Sequence, residues 1–528
     1  MHKLITLAPR ILLAIALIIT SLNPPALYGV TAIEAWAQRY NGPGNGDDHP
    51  SAVAVDPFGN ILVTGTAQLD GYAAMATIKY SKSGLPLWTN LSRSLANSHD
   101  SAVALAVDAA GNVFVTGSST NSLSAGDFLT LAYSPEGLPL WTNRFDGPAN
   151  GLDAPMAIAV DSNGEVIVTG HSAGIGTGQD FVTIKYSNSG IPLWTNRHEN
   201  LQNREDRALA LTIANSGRVF VTGTSTFATD SGIKTELVTI AYSGTGEPVW
   251  TNQLTTMPEA MAVDADGNVF IAGLTITGGF TLSALTIAYS ELGTPLWTNL
   301  YNGGERSRAT AIAVDTTGNV YVTGYSFTWA TLHNYASIKY SRAGVPLWTN
   351  VYSSPGRQSD WPVAIGVDQT GCVFVTGYSC QEGYGPEDFL TIAYSTTGTP
   401  LWTNRYNSPH NLADVPMNSR SLVLAGNGAP IVIGQSKSIH GSSTNYDFAL
   451  VQFVSVPTAV SILQKSTGTN ELVFSGMPET EYITQFSTNV LLGPWLDFST
   501  NTAAPDSFWK LNDCTATNAS RFYRAVGR

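Results

Sequence analysis

The chain has 528 residues, 43% of them hydrophobic and only 12% charged, with a formal net charge of −13. That much apolar side chain can fill a core, which excludes a disordered chain. An acidic chain with few basic residues lacks the positive stripes that neutralise phosphates, and nucleic-acid binding is excluded with them.

Residues 1–32 read as an export signal. Lys3 and Arg10 give a positive start, Ile11 to Ile19 form a short apolar core, and the small residues around Gly29 and Ala32 follow. The apolar run is too short to cross a bilayer comfortably. The expected mature protein is secreted (periplasmic, extracellular or on the cell surface), monomeric and without a membrane span. Glu34 to Tyr40 come next, and their Trp36 stands where Trp141 stands in Leu140-Trp141-Thr142-Asn143-Arg144-Phe145. No repeat unit precedes them.

From there a unit of about fifty residues recurs, the mark of a repeat architecture. Its signature is Gly84-Leu85-Pro86-Leu87-Trp88-Thr89-Asn90, and the Trp returns as Trp141, Trp194, Trp250, Trp297, Trp348 and Trp402. Each unit reads as four short strands. Strand a is the Ala311-Ile312-Ala313-Val314-Asp315 type, followed by a tight turn at Gly318. Strand b is the Val320-Tyr321-Val322-Thr323-Gly324 type. A longer polar loop leads to strand c, as in Ala336 to Tyr340, and a second tight turn delivers strand d with its Trp. The last set, Ser421–Ala425, Pro430–Gln435 and Phe448–Phe453, has no Trp strand after it. One strand in front, seven full units and three strands behind make an eight-bladed β-propeller over 33–456. Its last sheet is closed by the Trp36 strand, so that no sheet edge is left free at the seam.

The recurrent A-V-D-x-x-G-N-V-F-V-T-G and D-F-x-T-I-A-Y-S-x-x-G-x-P-L-W resemble the bacterial β-propeller repeat (SBBP) family over roughly residues 34–455. The family is often described as seven-bladed, and it implies export and scaffolding rather than a reaction. Two turns depart from its pattern, with Ala214 and Ala425 in place of the Asp. Residues 457–528 lose the period and read as a small β-sandwich-like domain. Tyr482, Gln485, Trp495 and Arg521 to Ala525 resemble a module that ends many large secreted bacterial proteins, which implies attachment or sorting. Cys372 and Cys380 flank one strand, too far apart for a disulfide, and Cys514 stands alone.

Sites are expected on the face that carries the b–c and d–a loops, which differ between units. Asp48, Asp100, Asp153, Asp206 and Asp360 each stand eight residues before the end of strand a. Facing the central channel they would form an acidic ring at its mouth, fit for a cation or for glycoside chemistry. Bonded to loop backbone they would be structural. A second set, Asp127, Asp180, Asp388 and Asp447, precedes strand c. Trp329 and Trp361 are the Trp residues of the repeat region that fall outside the signature; with Tyr384, His333, Arg306 and Arg308 they are the ligand-binding candidates, suited to stacking on a sugar or anchoring a protein. No nucleophile elbow, zinc helix or phosphate loop is present. The expected function is non-catalytic binding of a glycan or protein partner, with no cofactor and no metal. The alternatives are a polysaccharide-degrading enzyme using the acidic ring and a purely structural surface or matrix protein.

Overall fold

The computed structural model describes residues 30–95, 97–121, 124–199, 205–229, 232–278, 281–356, 358–380, 385–441 and 443–457, together with the backbone of six strands between 459 and 527. Residues 1–29 of the expected export signal, Tyr384, Trp495 and Cys514 lie outside the described residues. The chain is all-β and divides into two compact units, Glu34–Val454 and the residues from Ser455 onward with the N-terminal segment.

In the large unit, short runs rich in Val, Ile, Thr and aromatics form antiparallel meanders, because their branched and planar side chains suit a pleated surface. After β1 (Val30–Tyr40), the strands β2 (His49–Val55), β3 (Ile61–Leu69), β4 (Tyr72–Tyr80) and β5 (Pro86–Ser92) pair in chain order as one four-stranded sheet, a propeller blade. The same sheet recurs with first strands at His99–Val107, Asp153–Val160, Glu205–Ile213, Met257–Val263, Arg306–Val314 and Asp360–Val367. Sheets five and six are also linked by one parallel bridge, Leu282 to Arg306.

The eighth sheet takes strands from both chain ends. There β1 pairs with Ser443–Pro457, which pairs with Pro430–His440, and the inner position is split between Asp414–Val415 and Leu422–Leu424. First strands pack on first strands from sheet to sheet, and Leu422–Leu424 packs on both Asp360–Val367 and β2. One apolar cluster joins Val63, Ile78 and Tyr80 of the first sheet to Ile431, Ile433, Phe448 and Leu450 of the eighth.

The recurrent Trp holds neighbouring sheets together. The Trp88 indole N–H donates to Pro135 O at 3.0 Å, and the Asn90 amide donates to Gly137 O at 2.8 Å. The same pair of bonds joins Trp141 and Asn143, Trp194 and Asn196, Trp250 and Asn252, Trp297 and Asn299, and Trp348 and Asn350 to the next sheet. Each ring lies flat on a turn glycine. A Cβ on Gly137 would stand 2.8 Å from Trp88, and Gly137 also has φ of +84°, so only glycine fits. Trp36 lies on Gly84 in the same way, which fixes β1 as the outer strand of the sheet before the first. These Trp residues are sheet-to-sheet ties.

Cys372 immediately precedes the strand Val373–Cys380 and Cys380 ends it. Beyond residue 455 the backbone forms two antiparallel three-stranded sheets. One joins Ala459–Gln464, Asn470–Ser475 and Phe508–Asp513; the other joins Leu496–Thr502, Glu481–Ser487 and Phe522–Gly527.

Candidate functional site

Strand a begins where the d–a loop comes down into the sheet, and the loop's backbone N–H groups there need acceptors. The carboxylates expected at a channel mouth supply them. Asp48, Asp100, Asp153, Asp206 and Asp360 are all buried. Asp48 accepts the N–H of Gly42 and of Gln68, and Asp153 accepts those of Gly147 and Ala173. Asp100 accepts from Ser94, and Asp360 accepts the N–H and the hydroxyl of Ser354, both at 2.7 Å. In each of these four a donor lies six residues upstream, so one loop clamp is repeated. For Asp48, Asp100, Asp153 and Asp360 the structural alternative to the acidic ring holds: their oxygens bond loop groups. Ser307 takes the place in sheet six, where its hydroxyl accepts from Gly303 N–H at 3.0 Å. Asp414 does so in sheet eight, accepting from Ser408 N–H at 2.7 Å.

The carboxylates before strand c meet cations that sequence reasoning did not single out. Arg144 pairs with Asp127, Arg197 with Asp180 at 2.6 Å, and Arg405 with Asp388 at 3.4 Å. Each Arg also bonds a strand-b serine: Ser119, Ser172 and Ser379. Arg39 of β1 does the same in the eighth sheet, bonding Ser436 and Ser438 and pairing with Asp414 at 3.7 Å. Asp447 there meets His440 at 3.0 Å instead. Among the described residues, Asp127, Asp146 and Asp153 bring ligand atoms within 4.8 Å of one another. Arg144 already bonds Asp127 there, and Asp153 already holds two N–H groups.

The aromatic candidates converge at the junction of sheets six and seven. His333 and Phe327 are direct cross-strand partners, and Trp361 begins strand a of the next sheet. The His333 ring stacks on Trp361 with centroids 3.8 Å apart and planes at 27°. Tyr325 meets both edge-on at 5.0 Å, and Trp361 lies parallel to Tyr378 at 6.4 Å. Phe327 extends the group to Trp329 at 5.1 Å, and Trp329 is 67% exposed. Burial, and then the charge of Arg306, hold the His333 imidazole below its usual pKa, so the ring is neutral at pH 7. Its Nδ1 stands 3.3 Å from Ser359 Oγ. Arg306 is exposed beside this surface. Arg308 turns away to an ion pair with Glu259. Tyr325, Phe327 and Tyr378 were missed; all three lie on strand b, one to three residues past the Val-Thr-Gly signature.

Against known proteins, residues 35–71 and 297–326 match the SBBP beta-propeller repeat family. No curated protein matches the chain. Among solved structures it is similar to Sqt1 from Chaetomium thermophilum (TM-score 0.45, 11% identity, 78% of this chain and 96% of that one). It is also similar to the polysaccharide lyase Uly1 (0.43, 9%, 69% and 99%). The beta-propeller domain of the trilobed protease from Pyrococcus furiosus is a third (0.41, 8%, 65% and 93%).

Proposed function

We propose that the protein is a secreted, non-catalytic propeller that binds a glycan on the aromatic surface between sheets six and seven. The observation that carries this is the group of Tyr325, Phe327, Trp329, His333, Trp361 and Tyr378, assembled from side chains of two adjoining sheets, with Trp329 largely exposed. Sugar rings present C–H faces that stack on such aromatics, while flanking polar groups fix the hydroxyls. Arg306, Ser359 and the neutral His333 border the surface and supply them. Glycoside hydrolysis by the acidic set would need a carboxylate free to exchange protons with a substrate. The recurrent acids are engaged with loop N–H groups or arginines, which favours binding over turnover.

The test is a glycan array with pull-down controls on the mature chain, repeated with Trp329→Ala and with Trp329→Ala/Trp361→Ala. The single variant, changed at an exposed side chain, should fold as the wild type and bind a captured glycan at least tenfold more weakly. Undiminished binding by both variants would place the site elsewhere. Turnover of a polysaccharide that disappears in Asp153→Asn or Asp360→Asn would put an enzyme in place of a binding protein.

A further inference from the structure

Strand a carries a bulge at the same place in each of the first seven sheets. The extra residue is Ser51, Val103, Met156, Leu209, Glu259, Thr310 or Val363. These first strands pack on one another, so the bulges lie on the inner side of the sheets, toward the axis. The eighth sheet breaks the rule. From Asp153 to the turn residue Asp161 is 8 positions, whereas from Asp414 to its counterpart Ala425 is 11, an insertion of 11 − 8 = 3 residues. Register places it between Val415, opposite Gln435, and Leu422, opposite Val432. The single bulge residue is replaced there by Met417-Asn418-Ser419-Arg420.

The insertion is held at both ends. Asn418 Oδ1 accepts the N–H of Arg420 at 2.8 Å, and its amide donates to Ser51 O at 3.1 Å. Arg420 O accepts from Val53 N–H at 3.3 Å. From this base the Arg420 side chain reaches Met156 O, the carbonyl of the third sheet's bulge. Sheets three and eight are not neighbours, so the guanidinium lies across the axis. Its bond to Met156 O is its one side-chain hydrogen bond among the described residues, and no carboxylate pairs with it there. Glu259, the bulge residue of the fifth sheet, is already taken by Arg308, while Ser51 and Thr310 spend their hydroxyls on Ala102 O and Pro362 O. Burial alone pushes the Arg420 pKa down, with no anion to offset it.

We propose that Arg420, on the inner side of the first strands, centres a carboxylate-binding site. A guanidinium has five donors in a planar fork that matches a carboxylate bidentately, and here most of that fork is unspent. A partly buried cation without a counter-charge is poorly compensated, and a side chain serving only to fill space would not need the charge. An entering carboxylate supplies the missing charge and two acceptors.

The probe is carbon-13-labelled acetate, with acetamide as its neutral counterpart, titrated at constant ionic strength into the intact chain and followed by line broadening. Saturable broadening with acetate and none with acetamide is expected. Arg420→Gln should weaken acetate binding at least tenfold, and Arg420→Lys by less, since it keeps the charge and loses the fork. Trp329→Ala should bind acetate as the wild type does, which separates this site from the glycan surface. Competition by glucuronate or by N-acetylglycine then shows whether the natural carboxylate belongs to an acidic sugar or to a peptide end. No saturable broadening in the wild type, or equal broadening by acetamide, overturns the proposal. Wild-type affinity in Arg420→Gln does too, and leaves the side chain as a plug. If that variant fails to fold, the acetate and acetamide arms on the wild type decide, together with Arg420→Lys.

Discussion

His171 shows how one side chain can set a pH limit on the whole chain. It sits on strand b of the third sheet opposite Ala154 and Phe181, 8% exposed, and its Nδ1 has no hydrogen-bond partner. Burial first, and then the charge of Arg207 against a smaller opposing effect of Glu205, pull its pKa down to about 4. The folded form therefore stays neutral where the unfolded chain, near 6.5, takes up a proton. Protons are bound by the unfolded state in that window, so stability is complete above about pH 6.5 and falls as the pH drops toward 4. His198 and His333 are shifted in the same direction, also chiefly by burial. Urea midpoints at pH 7.5 and pH 5 should differ by about 2 kcal/mol through His171. His171→Gln should remove about that much of the difference; an identical pH slope in the variant would show that the imidazole is not responsible.

At the scale of one sheet, the Arg–Asp–Ser group behaves as a unit. Asp388 is fully buried and Arg405 partly exposed, so removing the cation alone strands a buried carboxylate. Arg405→Leu should cost about 3 kcal/mol in chemical denaturation, and Arg405→Leu/Asp388→Ala much less. Additive losses would refute the coupling. The chain already contains this exchange. In the first sheet Leu91 and Ala74 hold the places of Arg405 and Asp388, and in the fourth sheet Gln253 and Glu236 do. Comparing copies in phase would have exposed the pair from sequence, because the first sheet, which lacks the Arg, lacks the Asp as well. The blades themselves were legible for the same reason: the copies repeat the same strands and glycine turns. The fate of Asp48, Asp100, Asp153, Asp206 and Asp360 was not, since spacing puts a carboxylate at a strand start without saying which way it turns. Asp414 was hidden by the insertion that carries Arg420. Tyr378 joined the Trp361 group as its cross-strand partner, and Tyr325 joined it because strand b of one sheet faces strand a of the next, a packing relation that no single-strand pattern contains.

At the scale of the whole ring, the exposed question is the seam. Every sheet but the eighth is a continuous stretch of chain, and the eighth depends on an outer strand supplied from the other end. Four features hold β1 there besides its backbone pairing. Trp36 lies on Gly84 of the first sheet, and Tyr40 meets Phe448 edge-on at 5.6 Å. Arg39 reaches Ser436, Ser438 and the Tyr406 hydroxyl, and it balances the buried Asp414. Deleting residues 33–41 removes all of them, bares the Ser443–Pro457 edge and strands Asp414 without its cation. For a unit of this size the loss should lower the thermal midpoint by roughly 5–10 °C and promote association through the bared edge. A synthetic peptide spanning residues 30–41 should restore the midpoint in trans, since it returns the strand, the Trp36 tie and the Arg39 charge together. The same peptide with Trp36→Ala and Arg39→Ala should restore much less. An unchanged midpoint after the deletion would mean that the eighth sheet holds without its borrowed strand, and eight closed blades would no longer describe the ring.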